Sequence, residues 1–181
     1  MNNCEISNNT VRLNGKIIFN IESAIRLNDF LFNVYNKFNI NYPKFHKMDS
    51  VSKLGVLTAS LLFKTNNTNH NPLKTGIIIS SASGCYMTDL NYINALKEDP
   101  ESTFPALFTY TLPSIVIGEI CIKQDIQGEN LYLISNSLES RFLKQLATIM
   151  INEKGMEKCL IGWVEITNEN KYNSFLEIIR K

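Results

Sequence analysis

The chain has no excess of charge of either sign: eighteen Lys and Arg stand against seventeen Asp and Glu, a formal net charge of +1. No global field draws it to nucleic acid or to an anionic membrane surface, and neither is expected as a partner. Any apolar run of the roughly eighteen residues that a spanning helix needs is missing. The opening residues, MNNCEISNNT, hold neither a basic segment nor an apolar one, so no export signal or anchor is expected. Histidine is scarce, with His46 and His70 the only two. Four cysteines, Cys4, Cys85, Cys121 and Cys159, lie far apart without a C-x-x-C pair or ligand-spaced histidines. That argues against a zinc site and a disulfide scaffold, and points to a reducing, cytoplasmic setting with no bound metal. Neither GxxxxGK[ST] nor GxGxxG occurs, so nucleotide has no phosphate loop and no cofactor is expected.

What is present suffices for a core. With 181 residues and 44% hydrophobic residues, the chain is expected to form one domain over residues 1–181. The run TVRLNGKIIFN places Asn14-Gly15 between two β-prone pieces and predicts a hairpin. Residues 21–38 put Ile25, Leu27, Leu31, Val34 and Phe38 at helical spacing. In KMDSVSKLGVLTASLLF, Asp49 or Ser50 is a cap for a helix reaching Phe63, and Gly55 and Ala59 would admit a close neighbour. Residues 65–71 form an Asn-rich loop.

The run LKTGIIISSASGC predicts a buried strand, a tight turn and then a helix from about Thr88 to Lys97. After a loop at residues 98–103, a helix runs through Ile115, Val116, Ile117, Ile120 and Cys121, followed by a turn at Gly128 and a strand at residues 131–134. A helix over 137–152 would face Leu138, Phe142, Leu146 and Ile149 inward, with Arg141, Lys144 and Gln145 outward. KCLIGWVEI reads as another buried strand, and residues 172–180 as a terminal helix. Strands alternating with helices give an α/β domain, layered α/β/α, with a mostly parallel mixed sheet.

The segment from 105 to 140, PALFTYTLPSIVIGEICIKQDIQGENLYLISNSLES, is the centre of this pattern. Its strand-to-helix corner, Ser135, Asn136 and Ser137, is where a helix N-terminus favours developing negative charge. GENLYLISNSLESRFL followed by KCLIGWVEI resembles the nucleophile region of beta-ketoacyl synthases, in the thiolase-like superfamily. There a Gly-Pro-Asn turn, a strand, a Thr-Ala-Cys corner, a helix and an apolar strand follow one another. KMDSVSKLGVLTASLLF resembles the family's Met-Asp helix, KTGIIISSASGC its small-residue strand, and PALFTYTLPSIVIGEICI its pocket-lining segment. The likeness runs over residues 44–166 and is to the short synthase-like N-terminal domains of bacterial pigment and polyene clusters. It implies half of a thiolase-like fold. It also implies a pocket or interface at Gly84, Thr109, Pro113, Gly128, Ser135, Asn136 and Ser137, and an acyl carrier protein as partner.

Two departures bear on activity. Nine residues beyond Gly128, where the family has its cysteine, stands Ser137. The family's C-terminal half supplies paired histidines, and no matching segment occurs in these 181 residues. A serine needs a base, an orienting group and an oxyanion hole. His46, with Asp49, is the one candidate pair, and Ser137 reads more simply as a helix cap. Cys85, between a strand and a helix, is a weaker nucleophile candidate, at a place where a thiol pKa can fall. The resemblance therefore implies a subunit that does not condense acyl groups itself but assembles, as a homodimer or with a full-length ketoacyl synthase, in bacterial fatty acid, polyene or pigment biosynthesis. In the intact family the strand before the nucleophile pairs with its twofold mate. The competing reading is a small acyl transferase or thioesterase using Ser137 or Cys85.

Overall fold

The computed structural model describes residues 2–65, 70–101 and 104–181. Seven strands form one mixed sheet in the order β3-β2-β1-β7-β6-β4-β5. The strands are β1 (Asn3–Ser7), β2 (Thr10–Leu13), β3 (Lys16–Asn20), β4 (Thr75–Ser81), β5 (Asn130–Ile134), β6 (Lys158–Asn168) and β7 (Lys171–Arg180). The helices are α1 (Leu27–Lys37), α2 (Ser50–Thr65), α3 (Tyr86–Glu98), α4 (Pro105–Thr109), α5 (Ile115–Gln124) and α6 (Ser140–Glu153).

Local chemistry explains much of this order. The β2-β3 hairpin turns at Asn14 and Gly15, with φ of 52° and 79°, the left-handed pair that a two-residue turn between twisted strands requires. Asp49 caps α2, its Oδ1 accepting from Ser52 N at 3.0 Å. Gly55 lets α5 close on α2: a Cβ there would lie 2.6 Å from Val116 Cγ2. The Asn-rich loop and the 98–103 loop lie partly outside the described residues.

Alternation along the central strands builds two cores. Ile77 and Ile79 of β4 and Leu160, Val164 and Ile166 of β6 face α1, α2 and α5. Ile78, Cys159 and Ile161 face the other way, onto Leu143 and Ala147 of α6. Helices thus cover both faces, the expected α/β/α layering. The parallel pairings are β4 with β5 and β4 with β6. The remaining neighbours are antiparallel, a larger share than a mostly parallel sheet implies, because β1 and β7 join the hairpin to β6.

Residues 172–180 are a strand, not the expected terminal helix. They pair with β1 on one side and β6 on the other. A strand with neighbours on both edges and a core against it shows apolar residues at several spacings, so periodicity alone misassigned it. The helix expected from Ser137 begins at Ser140. Its buried residues are Leu143, Ala147 and Ile151. Leu138 and Leu146 pack partly against that core, whereas Phe142 and Ile149, expected inward, are exposed.

Candidate functional site

The site region lies at the carboxyl ends of the parallel strands, where open α/β sheets form a crevice. Ser81 ends β4 opposite Ile134, the end of β5. The turn after β4 and the turn after β5 are stitched by Ser135 N donating to Ser81 O at 3.0 Å. Gly84 has φ of 61°, and a Cβ added there would sit 3.2 Å from Pro113 Cγ and 3.7 Å from Ile134 Cδ1. The fold therefore brings together Gly84, Cys85, Pro113 and Ser135.

Other expected residues stand apart. Gly128 is at the opposite end of β5, where its N–H donates to Thr75 O at 3.2 Å and a Cβ would lie 2.5 Å from that same oxygen. Thr109 lies on α4, with its Oγ1 donating to Pro105 O at 3.0 Å. Asn136 and Ser137 are exposed. The Ser137 carbonyl accepts from Ser135 Oγ at 3.0 Å, and no hydrogen bond of the Ser137 hydroxyl occurs among the described residues. Ser137 is not the helix cap; Glu139 holds that position and makes no side-chain cap bond.

Among the described residues no hydrogen bond joins Ser137 to a base. His46 sits in an aromatic group on the α1 side, its ring 5.4 Å from Tyr35, 5.8 Å from Phe32 and 6.0 Å from Phe45. Asp49 has both oxygens engaged, one by Ser52 N and the other by Thr88 Oγ1 at 2.7 Å. His70 Nε2 meets Asp125 O at 3.0 Å. Ser137 leads into α6, on the opposite sheet face from α1 and α2.

Cys85 behaves unlike an activated thiol. It is buried, and its Sγ donates to Thr111 O at 2.8 Å with Asp89 Oδ1 3.4 Å away. Desolvation, followed by the Asp89 hydrogen bond and charge, pushes the thiol up to about 12. The sequence position suggested the reverse, because the start of α3 favours a thiolate. Burial and a neighbouring carboxylate outweigh that effect.

Sequence reasoning missed the acid that organises this turn. Glu165, at the end of β6, is nearly buried. Its Oε2 accepts from Ser81 Oγ at 2.7 Å, Ala82 N at 2.6 Å and Ser83 N at 3.2 Å, and its Oε1 from Ser83 Oγ. Ser81 Oγ in turn accepts from Gly84 N at 2.8 Å. The turn's N–H groups are thus taken by an internal carboxylate and are not free to hold an oxyanion. A single acid within the apolar run KCLIGWVEI was the available signal. A second buried acid, Glu119 on α5, accepts from Tyr110 OH at 3.0 Å and Tyr42 OH at 3.2 Å, and pairs with Lys44 at 2.7 Å. It anchors the segment after α4, and desolvation together with Glu119 raises the Tyr42 phenol to about 12.

Several large apolar side chains are exposed on the elements that border this crevice. Tyr86, Leu90 and Ile93 fall at i, i+4 and i+7 on α3 and are exposed, as are Phe108, Leu112 and Ile134. Phe108 packs its ring 5.7 Å from Tyr92 of α3. β5, with Ile134 at its tip, is an edge strand.

No protein-family model and no curated protein matches the sequence. Solved structures do. The chain superposes in full on 77% of a chain in the structure of a ketosynthase (ApeO) in complex with its chain length factor (ApeC) from Xenorhabdus doucetiae, with TM-score 0.64 and 12% identity. The chain has a ketosynthase-like, thiolase-type fold. Over 79% of its length it matches 47% of a chain in the ishigamide ketosynthase/chain length factor, with TM-score 0.63 and 14% identity. Over the same share it matches 45% of a beta-ketoacyl synthase chain from Burkholderia phymatum, with TM-score 0.61 and 11% identity. It therefore spans a little under half of those two chains. Among the described residues no helix is long and apolar enough to cross a membrane, and no group of three or more His, Cys, Asp or Glu could hold a metal ion.

Proposed function

We propose that the chain is a ketosynthase-like subunit without condensing activity of its own, which assembles with an active ketosynthase in bacterial fatty acid, polyene or pigment biosynthesis. The observation that carries this reading is a ketosynthase-like corner whose exposed Ser137 has no hydrogen bond to a base among the described residues, with exposed large apolar side chains on the elements that border it. Contiguous exposed apolar surface on a folded protein marks an interface. The unpaired backbone of β5 adds a template for strand pairing. Two of the similar solved structures are of a ketosynthase with a chain length factor, which supports a ketosynthase as the partner. An acyl carrier protein would then be met through that partner, and Gly84, Pro113 and Ser135 form the wall between crevice and interface.

The test is co-purification with a ketosynthase encoded beside this chain, followed by incubation with acyl-loaded carrier protein and intact-mass measurement. A stable complex, with no acyl adduct on this chain, is expected. Ile134→Lys and Leu90→Glu should abolish the complex. Acylation of Ser137 or Cys85, or hydrolysis of the carrier thioester by the isolated chain, would instead establish the acyl transferase or thioesterase reading.

A further inference from the structure

A small cavity of about 250 Å³ lies at the carboxyl end of β6, walled by residues of α1, α2, α3 and α4. Gly84, Pro113 and Ser135 take no part in its wall, so it is separate from the crevice described above. Leu27 of α1, Met87 of α3, Leu107 of α4 and Ile166 of β6 give it an apolar side. At roughly 30 Å³ for each water, the space equals about eight waters and suits a compound of about eight to ten non-hydrogen atoms.

Two opposite charges line this cavity without an ion pair for either. Lys53 of α2 is half-buried, and its amine lies 5.9 Å from the centre of the Phe45 ring. Glu169, in the turn between β6 and β7, is exposed. Among the described residues neither forms an ion pair. Other candidate partners are engaged elsewhere. Asp49, one turn before Lys53, accepts from Ser52 N and Thr88 Oγ1, and Arg26 is paired with Asp29 at 3.0 Å. Burial lowers the Lys53 amine below its ordinary value, and the Asp49 charge only partly opposes this. A desolvated cation short of a counter-charge is stabilised by a carboxylate brought against it.

The polar groups nearby extend this complementarity. Ser50 and Val51 line the cavity beside Lys53, and in the first turn of α2 their N–H groups have no intrahelical acceptor. Asn91 of α3 adds an amide oxygen that can accept from an ammonium. A simple anion is opposed here by Glu169 and Asp49, and a simple amine by Lys53. A ligand that carries both charges satisfies both walls.

We propose that this cavity binds a free α-amino acid with an apolar side chain. Its carboxylate meets Lys53, its ammonium meets Glu169, and its side chain lies among Leu27, Met87, Leu107 and Ile166.

Isothermal titration calorimetry of the purified chain tests this, with L-leucine and L-methionine as probes. 4-Methylpentanoate and 3-methylbutylamine, which are leucine without its amine and without its carboxylate, are the controls. Leucine or methionine should bind, and each control should bind roughly tenfold more weakly or worse, since each lacks one charge-assisted contact. Lys53→Met should weaken leucine roughly tenfold while leaving 3-methylbutylamine unweakened, and Glu169→Gln should weaken leucine while leaving 4-methylpentanoate unweakened. Both side chains lie outside the hydrophobic core, and unchanged far-ultraviolet spectra would show that the variants fold. Absence of binding by both amino acids overturns the proposal. So does 4-methylpentanoate or 3-methylbutylamine binding as tightly as leucine, or leucine binding indifferent to both variants. Ile134→Lys, which bears on association with a ketosynthase, should leave leucine binding unchanged, so the two proposals fail separately.

Discussion

Glu165 and Ser81 meet at 2.7 Å across the carboxyl ends of β6 and β4, and the hydroxyl passes the connection on by accepting from Gly84 N. One acid thereby holds the whole turn on which Gly84 and Cys85 are presented. Glu165→Ala removes the acceptor for Ser81, Ala82 and Ser83 together, leaving several donors without partners in a nearly dry site. A loss of about 3 kcal/mol in unfolding free energy is expected, since hydrogen bonds to a charged group contribute about 1.5–3 kcal/mol and unsatisfied donors add to that. Thermal denaturation followed by circular dichroism would record it as a fall of roughly 6–12 °C. An unchanged melting temperature would refute the clamp.

Two helical glycines should respond in opposite directions to the same change. Gly55→Ala drives a Cβ to 2.6 Å from Val116 Cγ2, where α2 and α5 touch. It should destabilise by about 1–3 kcal/mol. Gly118 lies within α5 and has nothing within 4 Å of an added Cβ. Gly118→Ala should therefore stabilise by about 0.5–1 kcal/mol through helix propensity alone. Urea denaturation of the two variants side by side separates crowding from propensity.

Each cysteine is pushed above the ordinary thiol value of 9.0, first by burial: Cys4, Cys85 and Cys159 to about 12 and Cys121 to about 11. A raised acid pKa means that the folded state holds the proton more tightly than the unfolded chain. Stability from these groups is complete below pH 9, and it falls as pH rises from 9 through 11 and 12. Denaturation midpoints measured from pH 7 to 11 should stay level to about pH 9 and then drop. At pH 8 the native chain should react with an aromatic disulfide reagent far more slowly than the unfolded chain. Fast labelling of Cys85 would show that its thiol is not held as described.

A thiol placed at position 137 should not bring acyl chemistry with it. Ser137→Cys places a sulfur at the exposed corner, but His46 remains among Phe32, Tyr35 and Phe45, and His70 beside Asp125. No acyl adduct is expected on incubation with an acyl-loaded carrier protein, read by intact mass. Ser137→Ala should leave the melting temperature within about 1 °C, because an exposed hydroxyl without a partner contributes little.

Much of the fold was legible where a local rule is sufficient. Asn14-Gly15 demands a hairpin, Asp49 caps the helix it precedes, and the runs at β4 and β6 are too apolar to lie anywhere but inside. The stretch around Ser137 was legible as a corner, yet its helix starts three residues later than the capping argument placed it. The β7 segment failed for a definite reason. Tyr172, Phe175, Leu176 and Ile179 fall at helical spacing, while Tyr172, Ser174, Leu176 and Ile178 fall at strand spacing. Only the second set is buried, because β1 and β6 were there to pair with it.

The same division runs through the site. Amino-acid identity alone determined that a serine occupies position 137, that histidines are few, and that apolar strands alternate with helices in an α/β pattern. Tertiary structure decided the environment of each group. It buried Cys85 against Thr111 and Asp89, drew Glu165 onto the β4 turn, and turned Leu143 and Ala147 of α6 to the sheet while leaving Phe142 and Ile149 outside. Helical and strand periodicities are properties of neighbours along the chain, so the sequence carries them directly. Desolvation, hydrogen-bond partners and the choice between two apolar stripes depend on neighbours in space, which only the packed molecule supplies.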